Sequence, residues 1–305
     1  MKRIKDFLNK QKIEYYDNFD CSIVSSMKLG GVACLAIFPN NQKEFEKLLL
    51  FLNVIKSPFE VFGNSSNILV VKKLEYPIIF TSKMTDDILI DKSIVTVSAG
   101  VLLSRFCDVL KKNNLSGFEG LVGIPATVGG ALINNAGAYG YSISDRLVKV
   151  KVFKNGKIFD LYSNEIKFGY HFSNLKGFII LSATFLFENR NEYDIINLCN
   201  EFTYLRNKSQ PSGLSLGSVY RKTNGLSAGF YIERAGLKGT RIGGVAISQK
   251  HANFFINDNF GSVMDFLRLL ALVEKTVERQ FGVNLVPEIE KVGEKDEIIS
   301  RFSCS

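Results

Sequence analysis

Gly123-Ile124-Pro125-Ala126-Thr127-Val128-Gly129-Gly130-Ala131-Leu132-Ile133-Asn134-Asn135-Ala136-Gly137-Ala138-Tyr139-Gly140 is rich in glycine and alanine and carries no charged side chain. Glycine admits positive φ and lets a ligand come close to the backbone. Successive N–H groups in such a loop form an anion-binding nest, and the start of a helix adds donors to it. Thr127 adds a hydroxyl. Two readings follow: a backbone cradle for the phosphates of a nucleotide, or a tight buried turn packed through small residues. The chain contains no G-x-G and no G-x-x-x-x-G-K-[ST]. That excludes the Rossmann fingerprint and the P-loop, so a nucleotide held here requires another architecture.

Working outward, the 305 residues suit two or three domains. Ile4, Phe7 and Leu8 share one helical face near the start. A strand over 32–38 stops at Pro39, and Asn40 or Asn41 caps a helix that buries Phe45, Leu48, Leu49 and Leu52. Strands over 59–62 and 68–71 flank the polar loop Gly63-Asn64-Ser65-Ser66-Asn67. The pattern changes at Pro77. Strands over 78–80, 94–97, 148–153, 158–161 and 178–187 are interrupted by a helix near 102–113 and by the glycine-rich run. A polar stretch at 188–192 precedes a helix to about 208, strands over 243–248 and 254–257, and a strongly amphipathic helix over 262–281 ended by Gly282. The reading is α+β, with units at 1–76, 77–190 and 191–305.

Hydrophobic residues make up 46% and charged residues 22%, so a buried core is expected and disorder is not. The net charge of +8 suits phosphate-bearing ligands or simple solubility. The cations are scattered, with no arginine-rich arm, so nucleic acid is not an expected partner. Cys21, Cys34, Cys107, Cys199 and Cys304 are widely spaced and form no C-x-x-C, and only His171 and His251 could join them. Neither a disulfide framework nor a metal site is expected. The first residues lack the apolar core of a signal peptide, and the apolar stretch at 178–187 is too short to span a bilayer, so a cytoplasmic protein without a membrane partner is expected.

The ordered motifs resemble those of the UDP-N-acetylenolpyruvoylglucosamine reductases, in their shorter, second type. The resemblance runs from Lys28-Leu29-Gly30-Gly31 through the glycine-rich run to Pro287-Glu288, nearly the whole chain. It implies a two-subdomain FAD-binding region of the vanillyl-alcohol-oxidase-like (PCMH-type) fold, followed by a C-terminal α+β substrate domain. It implies non-covalent FAD held by Gly63, Asn64, Ser65, Ser66 and Asn67 and by Gly123, Ile124, Pro125, Thr127, Gly129, Gly130, Asn134 and Gly137. NADPH is the implied reductant and a UDP-sugar enolpyruvyl ether the implied substrate. Hydride goes to the terminal carbon of the enolpyruvyl group and a proton to its neighbour.

In Gly217-Ser218-Val219-Tyr220, Ser218 matches the family's proton donor, and Glu288 matches its catalytic glutamate. In Phe168-Gly169-Tyr170-His171, the position after Tyr170 carries arginine in the family but His171 here. A guanidinium grips a carboxylate with two parallel bonds, whereas histidine offers one contact and is charged only when protonated. His171 is the candidate for stabilising the developing enolate, with Arg221 or Lys222 as substitute cations. Tyr170, Arg221, Lys222 and Asn253 are the expected substrate contacts, the two cations meeting the diphosphate. Ser65 stands where the family commonly has glycine, and His251 reads as structural. Two other readings stay open: an oxidoreductase of the same flavin fold with another substrate, and a catalytically weakened flavin- and UDP-sugar-binding protein. Oligomeric state is not legible.

Overall fold

The computed structural model describes residues 1–84 and 88–294; Cys304 lies outside the described residues. The N-terminal helix Lys2–Gln11 buries Ile4 and Leu8 and ends on Lys12, which takes a left-handed conformation. Helix Gln42–Val54 is capped by Asn41, whose side chain accepts from the Glu44 N–H, and it buries the four expected residues. Both helices pack on a sheet ordered Glu14–Asp20, Val32–Phe38, Leu74–Phe80, Glu60–Phe62, antiparallel at the first pair and parallel thereafter.

Two features of this sheet depart from the sequence reading. Glu14–Asp20, sequence EYYDNFD, is an edge strand that its polarity concealed. Pro77 does not open a new unit: it lies inside Leu74–Phe80, and 78–80 belong to the first sheet rather than the second. The proline is tolerated because the register shifts between Ala33 and Leu35 beside it, and the strand on the other side pairs only from Ile78 onward.

The second sheet is antiparallel, ordered Lys157–Tyr162, Leu147–Lys154, Ile179–Leu186, Ile94–Ser98, Ile88–Asp91. Helices Leu103–Lys112 and Val128–Ile133 pack against it through Phe106, Leu110, Val128 and Leu132. Phe153, Ile179 and Leu181 join the core under the first sheet, so the two sheets share apolar packing.

The last part follows helix Glu192–Ser209. Its core packs helix Val263–Phe281 on the short strands Val245–Ile247 and Phe255–Asn257, with Leu29 and Leu69 from the N-terminal part. Ser262 and Asp265 form a capping box, and Gly282 ends the helix at φ 65°. The chain then returns: Glu290–Val292 pairs in parallel with Ile68–Val70. That return places residue 288 beside the polar loop 63–67. No described helix is long and apolar enough to cross a membrane, and the described residues hold no cluster of three or more metal-ligating side chains.

Candidate active site

A cavity of about 470 Å3 lies between the loop 63–67, the start of helix Val128–Ile133, and residues 176–180. Its walls explain several small residues. A Cβ on Gly63 would lie 2.3 Å from the Thr127 hydroxyl, and one on Gly129 would lie 2.9 Å from the Ala99 Cβ. Asn64 Nδ2 donates to the Pro125 carbonyl at 2.9 Å, binding the two loops together. Ser65 sits at φ 49°, and its hydroxyl is buried without a hydrogen-bond partner.

Gly63, Asn64, Ser65, Ser66, Asn67, Thr127, Gly129, Gly130 and Asn134 line this cavity as the sequence suggested. Four expected residues do not. Gly123, at φ 81°, turns against the Arg206 side chain, and Gly137 packs where a Cβ would meet the Tyr141 carbonyl at 2.7 Å. Pro125 offers its carbonyl to Asn64, and Ile124 packs on the second core. They shape the turn without forming the wall.

The nest expected at the helix start is also not free. The Val128 and Gly129 N–H groups donate to the Val101 and Ala99 carbonyls, at 2.8 and 2.9 Å. Gly130 N–H donates to the Thr127 hydroxyl at 3.3 Å. The glycine-rich run therefore supplies floor and shape, and the unpartnered buried hydroxyl on the cavity wall is that of Ser65 in the facing loop. Lys176, Glu60 and Glu290 also line the cavity. No sequence motif marks these three: Glu60 and Glu290 arrive through strand register, and Lys176 from the turn before strand Ile179–Leu186.

A second cluster adjoins it. The hairpin of Phe168–Gly169 and Phe172–Ser173 carries Tyr170 and His171 at its tip, with His171 at φ 48°. Asn135 Nδ2 donates to the Gly169 carbonyl at 2.9 Å and Ser173 Oγ to the Ile133 carbonyl at 2.7 Å, tying the hairpin to the end of the glycine-rich helix. His171 Nδ1 lies 3.1 Å from Glu288 Oε1. Burial holds the His171 imidazole below its ordinary range, with Arg221 and then Lys222 adding to the effect. Burial pushes the Glu288 carboxyl up to about 7, opposed by Arg221. A 3.1 Å contact alone fits an ion pair or a neutral hydrogen bond. Burial of both groups favours the neutral form, in which the Glu288 O–H donates to Nδ1 and the pair holds one proton.

Ser218 follows Gly217, which turns at φ 78°, and bridges to Phe254. The strip 218–221 is clasped on both sides. Glu288 N–H donates to the Val219 carbonyl at 2.8 Å and Arg221 N–H to the Val286 carbonyl at 3.0 Å. On the other side, Asn253 Oδ1 accepts from Tyr220 N–H at 3.0 Å, while its Nδ2 donates to the Tyr220 carbonyl at 2.8 Å. Asn253, expected as a substrate contact, is thus buried with its amide bonded to backbone, where it acts as a clasp on the strip. Lys222 Nζ sits 5.1 Å above the exposed Tyr170 ring, linking strip and hairpin. His251 accepts from Asn253 N–H and packs on Phe254.

The family described as FAD binding domain matches residues 34–162, and that described as UDP-N-acetylenolpyruvoylglucosamine reductase, C-terminal domain, matches residues 210–292. The chain is 36% identical over 297 residues to a UDP-N-acetylenolpyruvoylglucosamine reductase of Caldanaerobacter subterraneus subsp. tengcongensis, covering 96% of this chain and 98% of that one. It is 36% identical over 304 residues to the protein of that name from Fervidobacterium nodosum, covering 95% and 98%. A crystal structure of the reductase from Thermus caldophilus superposes with a TM-score of 0.77 at 29% identity, covering 92% of this chain and 98% of that one.

Proposed function

The chain belongs to the UDP-N-acetylenolpyruvoylglucosamine reductase family, and from that premise we propose how its residues divide the reaction. The activity is the FAD-dependent reduction of UDP-N-acetylglucosamine enolpyruvate to UDP-N-acetylmuramate, in peptidoglycan precursor synthesis. NADPH is the reductant in this reading, and the reaction belongs in the cytoplasm, where both NADPH and nucleotide sugars are supplied.

The cavity fits FAD. Its wall carries an orphaned buried hydroxyl at Ser65, and Asn64 and Asn67, which each give one amide N–H to a backbone carbonyl, keep a second N–H for a diphosphate. No cysteine or histidine lines it among the described residues, which supports non-covalent binding. Bound there, FAD supplies the hydride chemistry. The chain positions and protonates. Ser218 delivers the proton to the carbon beside the carboxylate, since its strip is held rigid by Asn253 and by residues 286–288. Glu288 and His171 hold one proton at the reacting end. Lys222 and Tyr170 form the rim that meets the UDP-sugar.

The observation that carries this reading is the junction at residue 288. Asn67, from the cofactor loop, donates through Nδ2 to the Glu288 carbonyl at 3.2 Å, while the Glu288 carboxyl meets His171. The test is NADPH oxidation by the FAD-loaded protein with and without the enolpyruvyl UDP-sugar. Substrate-dependent oxidation is expected. Binding of both ligands without turnover would overturn the assignment.

A further inference from the structure

We propose that Arg221, rather than serving the substrate diphosphate, supplies the fixed cation that binds the enolpyruvyl carboxylate and stabilises the charge that gathers on it during reduction. The inference rests on the family activity and deepens it. Addition of hydride to the alkene drives electron density onto the carboxylate, so the reacting end needs a cation that is always present. The His171–Glu288 pair cannot provide it, because with one shared proton the pair is neutral overall. Lys222 is already engaged above the exposed Tyr170 ring.

Arg221 is differently placed. Its N–H bonds the Val286 carbonyl at 3.0 Å, so its backbone is fixed two residues from Glu288 on the facing segment. Its charge acts on both His171 and Glu288. Its Nε is buried with no hydrogen-bond partner among the described residues. A buried guanidinium N–H without an acceptor marks a place for one. A planar carboxylate beside the dyad meets that need, and the guanidinium can take it in a bidentate grip. The hairpin tip then keeps a histidine without loss of the cation, which comes from the strip after Ser218.

The experiment uses the FAD-loaded full chain, after wild-type turnover of the enolpyruvyl UDP-sugar has been shown. Absence of that turnover would sink the family activity and not this assignment. Arg221→Gln and Arg221→Lys are compared in kcat/KM and in affinity for UDP-N-acetylglucosamine, which carries the diphosphate and sugar but no carboxylate. Arg221→Gln is expected to lower kcat/KM on the order of 100-fold, and Arg221→Lys to recover all but about tenfold, as a point charge lacking the fork. Affinity for UDP-N-acetylglucosamine is expected to stay within about twofold in both. A parallel loss of UDP-N-acetylglucosamine affinity would return Arg221 to the diphosphate, and an unchanged kcat/KM in Arg221→Gln would remove it from the site. If Arg221→Gln fails to hold flavin, Arg221→Lys decides alone. A drop in kcat/KM with unchanged UDP-N-acetylglucosamine affinity supports the assignment, and wild-type kcat/KM overturns it.

Discussion

Ser65→Gly separates the two demands placed on the cofactor loop, because it should move stability and affinity in opposite directions. Ser65 holds φ at 49°, a region that costs a side-chain-bearing residue roughly 1–2 kcal/mol and glycine almost nothing. Part of that gain is lost to the greater freedom of glycine in the unfolded chain, leaving about 1 kcal/mol in favour of the variant. The flavin-free protein should therefore melt about 1.5–2 °C higher. The hydroxyl removed is buried, unpartnered and on the cavity wall. If it bonds a phosphate oxygen, its loss costs about 1.5–3 kcal/mol, which weakens FAD binding roughly 10- to 100-fold. Differential scanning fluorimetry of the deflavinated protein reads the first effect, and a flavin-fluorescence titration reads the second. Wild-type FAD affinity in the variant would refute the phosphate contact. A lower melting temperature without flavin would refute the strain argument.

Glu288→Gln tests the proton held at the dyad. The Glu288 carboxyl titrates at about 7 in the fold against 4.5 free, so its folded-state stabilisation is complete below pH 4.5 and is lost as pH rises through 7. The variant should match wild type in stability near pH 4.5 and exceed it by roughly 2–3 kcal/mol at pH 8, with turnover strongly reduced; equal melting curves at pH 8 would refute the burial argument. Gly129→Ala places a Cβ 2.9 Å from the Ala99 Cβ. It should cost about 1–3 kcal/mol in thermal unfolding and weaken FAD as the helix start shifts, and a neutral result would show that the wall yields. Asn253→Ala leaves the Tyr220 N–H and carbonyl without their clasp. A loss of about 2–4 kcal/mol is expected, with kcat falling more than KM rises; a KM effect alone at full stability would restore Asn253 as a substrate contact.

Much of the fold was legible where local chemistry and burial agree. The helix capped by Ser262 and stopped by Gly282 carries its boundaries in the sequence, because the cap, the amphipathic stripe and the left-handed glycine are all local signals. Glu14–Asp20 was not legible, since an edge strand with one partner buries little and its residues alternate poorly. Pro77 misled for a related reason. A proline normally ends a strand, and only the register shift opposite it makes this one tolerable. In the site, the loop 63–67 and the corner residues Ser218, His171 and Glu288 were marked by motif. The sequence did not show which donors of the glycine-rich run remain free. Thr127, Val101 and Ala99 satisfy its helix-start amides, and those partners come from folding. Asn253 shows the same limit: an asparagine near a substrate motif reads alike whether its amide faces ligand or clasps backbone.

The segment around Glu288 explains why the cofactor loop and the reacting corner cannot be treated as separate modules. Glu288 N–H is bound to the strip beside Ser218, its carbonyl accepts from Asn67, and its carboxyl meets His171. Two residues later, Glu290 N–H donates to the Asn67 carbonyl at 2.8 Å, and the Glu290–Val292 strand locks onto Ile68–Val70. One short stretch therefore takes its position from the FAD loop, the proton-donor strip and the hairpin together. Each contact alone is worth about 1 kcal/mol, but a shift of the loop on cofactor binding must carry Glu288 with it. The carboxyl that holds the proton thus reaches its working place through the same backbone bonds that shape the cofactor wall. A change at Asn67, remote in sequence from any proton transfer, should accordingly disturb turnover through Glu288 as well as FAD affinity.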